Sequence, residues 1–65
     1  LRYHTPAQIW SEHTNGENLL VLRYENAEDD TAKQVWLRQS DLQPVCAELY
    51  EDGRLVLTIQ VESCQ

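Results

Sequence analysis

Apolar and polar residues alternate at every second position through most of this chain, and no window of helical length carries apolar residues at i, i+3, i+4 and i+7. That period restricts the backbone to strands, because only an extended chain turns successive side chains to opposite faces. Turn residues cut the alternation into five runs. The first spans about Tyr3 to Glu12, with Pro6 near its start marking an edge position, since proline has no N–H to give a neighbour. Asn15-Gly16 follows, a pair suited to the two positive φ angles of a type I′ hairpin turn. The second run, Asn18 to Glu25, sets Leu20, Leu22 and Tyr24 against Leu19, Val21 and Arg23. Both of its faces are partly apolar, so it should be the more central strand of the first hairpin. "NAEDDT", residues 26 to 31, is an acidic turn. The third run, Ala32 to Arg38, sets Val35 and Leu37 against Gln34, Trp36 and Arg38. "QSDLQP" then turns the chain into a fourth strand behind Pro44, and Glu51-Asp52-Gly53 joins that strand to a fifth. The expected fold is all-β: a five-stranded antiparallel meander forming one curved sheet, a single domain over residues 1–65.

The pattern of the last hairpin suggests its register. A two-residue loop at Asp52-Gly53 would pair Leu49 with Val56 and set Glu48 opposite Leu57. A three-residue loop Glu51-Asp52-Gly53, with Gly53 in the left-handed position of a G1 bulge, pairs Leu49 with Leu55, Ala47 with Leu57 and Val45 with Ile59. The second register gathers Val45, Ala47, Leu49, Leu55, Leu57, Ile59 and Val61 on a dry face. It leaves Cys46, Glu48, Tyr50, Arg54, Val56, Thr58 and Gln60 on a wet one. Because a one-residue slip would flip a whole strand, the second register is expected. It sets Cys46 opposite Thr58, with Cys64 six residues further on, roughly 20 Å along an extended strand. A disulfide needs Cα atoms within about 7 Å. Free thiols or a link to another chain are therefore expected ahead of an intrachain bridge.

What could cover the dry face is limited by size. A chain of 65 residues buries only about 60% of the surface its unfolded form exposes. With no helix available, nothing within the sequence lies over the sheet. If the seven dry-face residues hide even ~50 Å² each, covering them is worth about 9 kcal/mol, as much as the net stability of a typical domain. The expectation is a cover from outside: a homodimer, or association with a missing N-terminal half. The chain opens on Leu1 rather than Met and reads as a piece of a longer protein.

Net charge is −6, from eleven acids against five bases, and Arg2, Arg23, Lys33, Arg38 and Arg54 are scattered. Phosphate-backbone binding draws on clustered cations, so neither nucleic acid nor an anionic membrane surface is expected as a partner. No apolar run approaches the ~18 residues of a membrane span.

Catalytic and metal chemistry finds little footing. His4 and His13 have no Ser or Cys in a recognisable nucleophile setting. Glu12 and His13 are adjacent on a strand and point to opposite faces, which rules out easy chelation of one ion. The acids of residues 26–31 lack the D-x-[DN]-x-[DN]-G spacing of a calcium loop. Trp10 and Trp36 read as cross-strand packing partners. The chain is expected to be no enzyme, with no metal and no cofactor.

With the strands in place, "VWLRQSDLQPVCAELYEDGRLVLTIQV", residues 35 to 61, resembles the end of LolA-like domains, the family of outer-membrane lipoprotein carriers and their relatives. The resemblance rests on Trp36, Pro44, Ala47, Glu48, Leu49, Tyr50, Asp52, Gly53, Leu55 and Ile59, with "ENLLVLRYE", residues 17 to 25, as the preceding strand. It implies part of a half-open, strongly curved barrel, shorter than the family domain by its first strands and plugging helices. It also implies a non-enzymatic extracytoplasmic domain of the bacterial cell envelope, its parent a membrane-anchored lipoprotein, that binds an apolar ligand or lipoprotein. The ligand would lie on the sheet at Val45, Ala47, Leu49, Leu55, Leu57, Ile59 and Val61. The alternative is a protein–protein interaction or oligomerisation module without a small ligand, of the spore-germination lipoprotein or anti-sigma regulator type.

Overall fold

Five strands follow one another in space as they do in sequence. The structure is a computed structural model that describes residues 5–61. Its strands are β1 (Gln8–Thr14), β2 (Glu17–Asn26), β3 (Thr31–Arg38), β4 (Pro44–Glu51) and β5 (Arg54–Gln60). They form one antiparallel sheet in the order β1-β2-β3-β4-β5. The sheet is open, and there is no helix among the described residues. This is the expected all-β meander.

Turn chemistry sets the strand ends. Asn15 and Gly16 hold φ of 54° and 75°, so the first hairpin closes through a two-residue turn and pairs Thr14 with Glu17. That tight closure carries β1 past the expected end at Glu12. Its start moves from Tyr3 to Gln8, behind Pro6; Tyr3 and His4 lie outside the described residues. In the acidic turn, Asp30 takes positive φ, while the Asn26 and Asp29 side chains accept from the Glu28 amide and the Thr31 hydroxyl. Between β3 and β4, Leu42 holds φ of 62°. Its amide donates to Arg38 O, and Arg38 N donates to Gln43 O. Asp41 braces this loop with both carboxylate oxygens on Arg38. Those hydrogen bonds, then the Gln43 amide, hold its carboxyl below the ordinary carboxylate range.

The last hairpin departs from the expected register. Asp52 (φ 52°) and Gly53 (φ 77°) form a two-residue turn that pairs Glu51 with Arg54 and Tyr50 with Leu55. The register then shifts, so that Leu49 pairs with Leu57 and Ala47 with Ile59, leaving Val56 as the extra residue of a β-bulge. The bulge reconciles a tight turn with apolar-to-apolar pairing, which a straight ladder through the same turn would not allow. A second bulge, between Trp36–Cys46 and Leu37–Pro44, leaves Val45 as the extra residue.

These bulges correct two of the seven dry-face assignments. Leu55 pairs with Tyr50 and so lies on the face opposite Leu57 and Ile59. Val45 turns to the same face as Cys46, where both are buried against Leu19 with Trp36 packed over them. Cys46, expected on the wet face, is only 1% exposed.

Cys46 is also disulfide-bonded, which overturns the expectation of a free thiol. The register is the reason that expectation failed. Cys46 stands opposite Gln60 rather than Thr58, which shortens the extra reach to the next cysteine in sequence by two residues. That cysteine, Cys64, lies outside the described residues.

The core lies on the face with more polar side chains. Trp10, Val21, Trp36 and Cys46 form one row across four strands, and Val21, paired with a tryptophan on either side, is 0% exposed. Glu12 completes the roof. Its Oε2 accepts from Trp10 Nε1 at 2.9 Å and its Oε1 from Trp36 Nε1 at 3.1 Å. Further along, Arg23 bridges Glu25 and Gln34, and its guanidinium lies 5.4 Å from the Tyr50 ring centre. The adjacent Ala32 is buried. Small apolar side chains form the floor, and amphipathic ones lie over it with their polar ends outward.

Candidate binding face

The opposite face follows from the register alone. Cα partners in an antiparallel ladder carry their side chains on the same side. Ile9, Leu22, Val35, Ala47 and Ile59 therefore form one row, entirely apolar, across all five strands. A flanking row runs Ser11, Leu20, Leu37 and Pro44. On the other side lie Tyr24, Lys33, Leu49 and Leu57. Lys33 is the one charged side chain in these rows, and its ammonium stands 5.6 Å from the Tyr24 ring centre. Among the described residues, the acids fall in the turns, on the opposite face, or at the border by Glu51.

This face has no layer over it among the described residues. Ile9 is 58% exposed, Leu57 48% and Ile59 49%, while the residues of β2, β3 and β4 between them are half-buried only by their neighbours. An apolar surface that continues across a whole sheet marks an interaction site.

Of the residues expected to bind, Ala47, Leu49, Leu57 and Ile59 lie together on this face. Val61, which follows β5 and is exposed, donates its amide to Val45 O and continues the same alternation. Val45 and Leu55 do not belong to it. Sequence reasoning missed Ile9, Leu20, Leu22, Val35 and Leu37. The alternation of the second and third strands already separated four of these from their polar neighbours. Joining them to the last hairpin required the pairings between strands.

The other face offers a shallow cleft of about 280 Å³ by the acidic turn, lined by Arg23, Glu25, Thr31, Tyr50 and Gly53 among others. Its cation is already engaged by Glu25, Gln34 and the Tyr50 ring. Tyr50 donates its hydroxyl to Glu48 at 2.5 Å, and this bond, then burial, raises the phenol above its ordinary pKa of 10.0. His13 shares a 2.7 Å contact with Asn18 and makes no cluster with Glu12. No group of three metal-ligating side chains occurs among the described residues.

No family model, curated protein or solved structure matches the chain.

Proposed function

We propose that this chain is a non-enzymatic binding domain of the lipoprotein-carrier type, which takes an apolar ligand or a lipid-modified chain on the open face of its sheet. The observation that carries this reading is the uninterrupted row Ile9, Leu22, Val35, Ala47 and Ile59, with apolar residues on both sides. An acyl chain is long, apolar and without hydrogen-bonding demand. Such a row suits it, since each methylene buried contributes about 0.8 kcal/mol.

A disulfide and a sequence resemblance support the same reading. A disulfide at Cys46 fits an oxidising environment, as the extracytoplasmic side of a bacterial cell envelope would supply. The run from Trp36 to Ile59 resembles the end of LolA-like domains, in which a curved sheet holds an apolar cargo. An open, bulged antiparallel sheet suits that architecture.

Titration with a fluorescent fatty acid tests the proposal. Saturable binding at one site per chain is expected, and Ile9→Asp, at a position already exposed, should abolish it by placing a carboxylate at the end of the apolar row. Absence of saturable binding to the parent chain, or unchanged binding by the variant, would overturn the reading.

A further inference from the structure

The face that carries the core also carries a line of polar side chains. Gln8, Arg23, Gln34, Glu48 and Thr58 are successive Cα partners, so they form one row across all five strands, roughly 19 Å long at ordinary strand spacing. Two residues along the strands on one side runs the row that holds Trp10 and Trp36, one on each side of Val21. Two residues along on the other side stands Tyr50, paired with Ala32. Aromatic side chains therefore border the polar row on both sides. Trp10, Arg23, Gln34, Trp36, Glu48 and Tyr50 are each half-exposed.

The polar groups between these rings are held by internal bonds and keep capacity for more. Glu12 accepts one indole N–H on each oxygen, and each oxygen has a second lone pair. Arg23 spends Nε on Glu25 and Nη1 on Gln34, two of its five N–H donors. Gln34 accepts with Oε1, so its two amide donors lie on the far side of the group. Glu48 accepts from Tyr50 with Oε1 and has Oε2 as a further acceptor. Side chains fixed in this way lose little rotamer freedom when a ligand arrives.

Donors and acceptors thus stand mixed beside exposed ring surface. A sugar ring is divided in the same manner, with C–H groups on its faces and, around its rim, hydroxyls that each donate and accept. An acyl chain would use none of these polar groups. A proline-rich peptide, with few backbone N–H groups, would bring few donors to Glu12 and Glu48. An anionic ligand would meet Glu12, Glu25 and Glu48 on a chain of net charge −6.

We infer that this face is a second binding site, for an uncharged oligosaccharide laid across the strands, its ring faces on Trp10 and Trp36 and its hydroxyls on Arg23, Gln34 and Glu48. The tryptophan row reaches the buried, disulfide-bonded Cys46 at β4, so stacking is confined to β1 and β3. Arg23 and Tyr50 also line the cleft of about 280 Å³ by the acidic turn, so the polar row borders a recess. The site is independent of the apolar one, because the two lie on opposite faces of the sheet.

The test screens the oxidised chain against an immobilised array of uncharged glucose, mannose, galactose and N-acetylglucosamine oligomers, with sulfated and uronic-acid oligomers alongside. Retention on at least one uncharged series, growing with oligomer length, is expected, and weaker or no retention on the charged ones. The best-retained oligomer is then titrated while the indole N–H signals of Trp10 and Trp36 are followed by NMR. Both should shift and saturate together. Trp10→Ala and Gln34→Ala should each weaken binding about tenfold, the size of one aromatic contact or hydrogen bond. Fatty-acid binding by both variants should match the parent chain, which separates a failure of this site from a failure of the apolar one. No retained uncharged oligomer, charged oligomers retained as well or better, indole signals that stay still, or unchanged affinity in both variants would each overturn the inference. A proline-rich peptide that moves the indole signals where no oligosaccharide does would overturn it too. The titration of the parent chain decides the matter even if a variant fails to fold.

Discussion

Replacing Glu12 tests whether one carboxylate holds the roof of the core together. Its two oxygens accept from the indole N–H groups of Trp10 and Trp36, the second being 24 residues away in sequence. A hydrogen bond to a charged group contributes about 1.5–3 kcal/mol. All three side chains are half-exposed, so water replaces part of what is lost and the lower end applies. Glu12→Ala should therefore cost about 2 kcal/mol, a fall in Tm of roughly 8–16 °C for a domain of this size. Glu12→Gln keeps the shape and one acceptor oxygen but turns an NH₂ toward the other indole, and should lose about half as much. Thermal melts of these two variants, of Trp36→Phe and of the double variant give the coupling directly. We expect about 1 kcal/mol between Glu12 and the Trp36 N–H. A Glu12→Ala melt within about 2 °C of the parent would refute the reasoning, because the clasp would then contribute nothing beyond contact with water.

Three further outcomes follow from burial, covalent linkage and ionisation. Val21→Ala, at a position with no exposure, should cost about 2 kcal/mol in a denaturant melt, whereas Val56→Ala, half exposed at a bulge, should stay within about 0.5 kcal/mol at low micromolar concentration. Peptide mapping of the unreduced chain should recover Cys46 linked to Cys64, and reduction should lower stability by about 3 kcal/mol for a closed loop of this length; alkylation of Cys46 without reductant would contradict this. Tyr50 should ionise above its ordinary value of 10.0 in an alkaline absorbance titration, and Glu48→Gln should bring it down. Because the folded-state value is the raised one, its contribution is fully present below pH 10.0 and is lost as pH rises through the folded value.

The strands and turns were legible where local chemistry decides them. Asn15-Gly16 and Pro44 bound strands in the expected places, and the alternation of β2 and β3 sorted Leu22 and Val35 from Val21 and Trp36. Val45 and Leu55 were misassigned because strict alternation admits no extra residue, and a β-bulge is a property of two paired strands rather than of either one alone. The same limit hid the core. Trp10 and Glu12 share a face by spacing, but only the pairing of β1 with β2 and of β2 with β3 brings Trp36 to the same carboxylate. The open face was half legible for that reason: the last hairpin announced apolar residues, and the row that makes them continuous with Ile9 and Leu22 depends on the full register.

The most direct test of the central claim is a methyl-resolved NMR titration of the parent chain with a fatty acid. The row Leu22, Val35, Ala47 and Ile59 should shift together and saturate together, while Val21, Val45 and Leu19, on the face roofed by Trp10 and Trp36, should stay in place. Shifts confined to Leu19, Val21 and Val45, or no saturable shift on either face, would contradict the assignment of the open sheet as the binding surface.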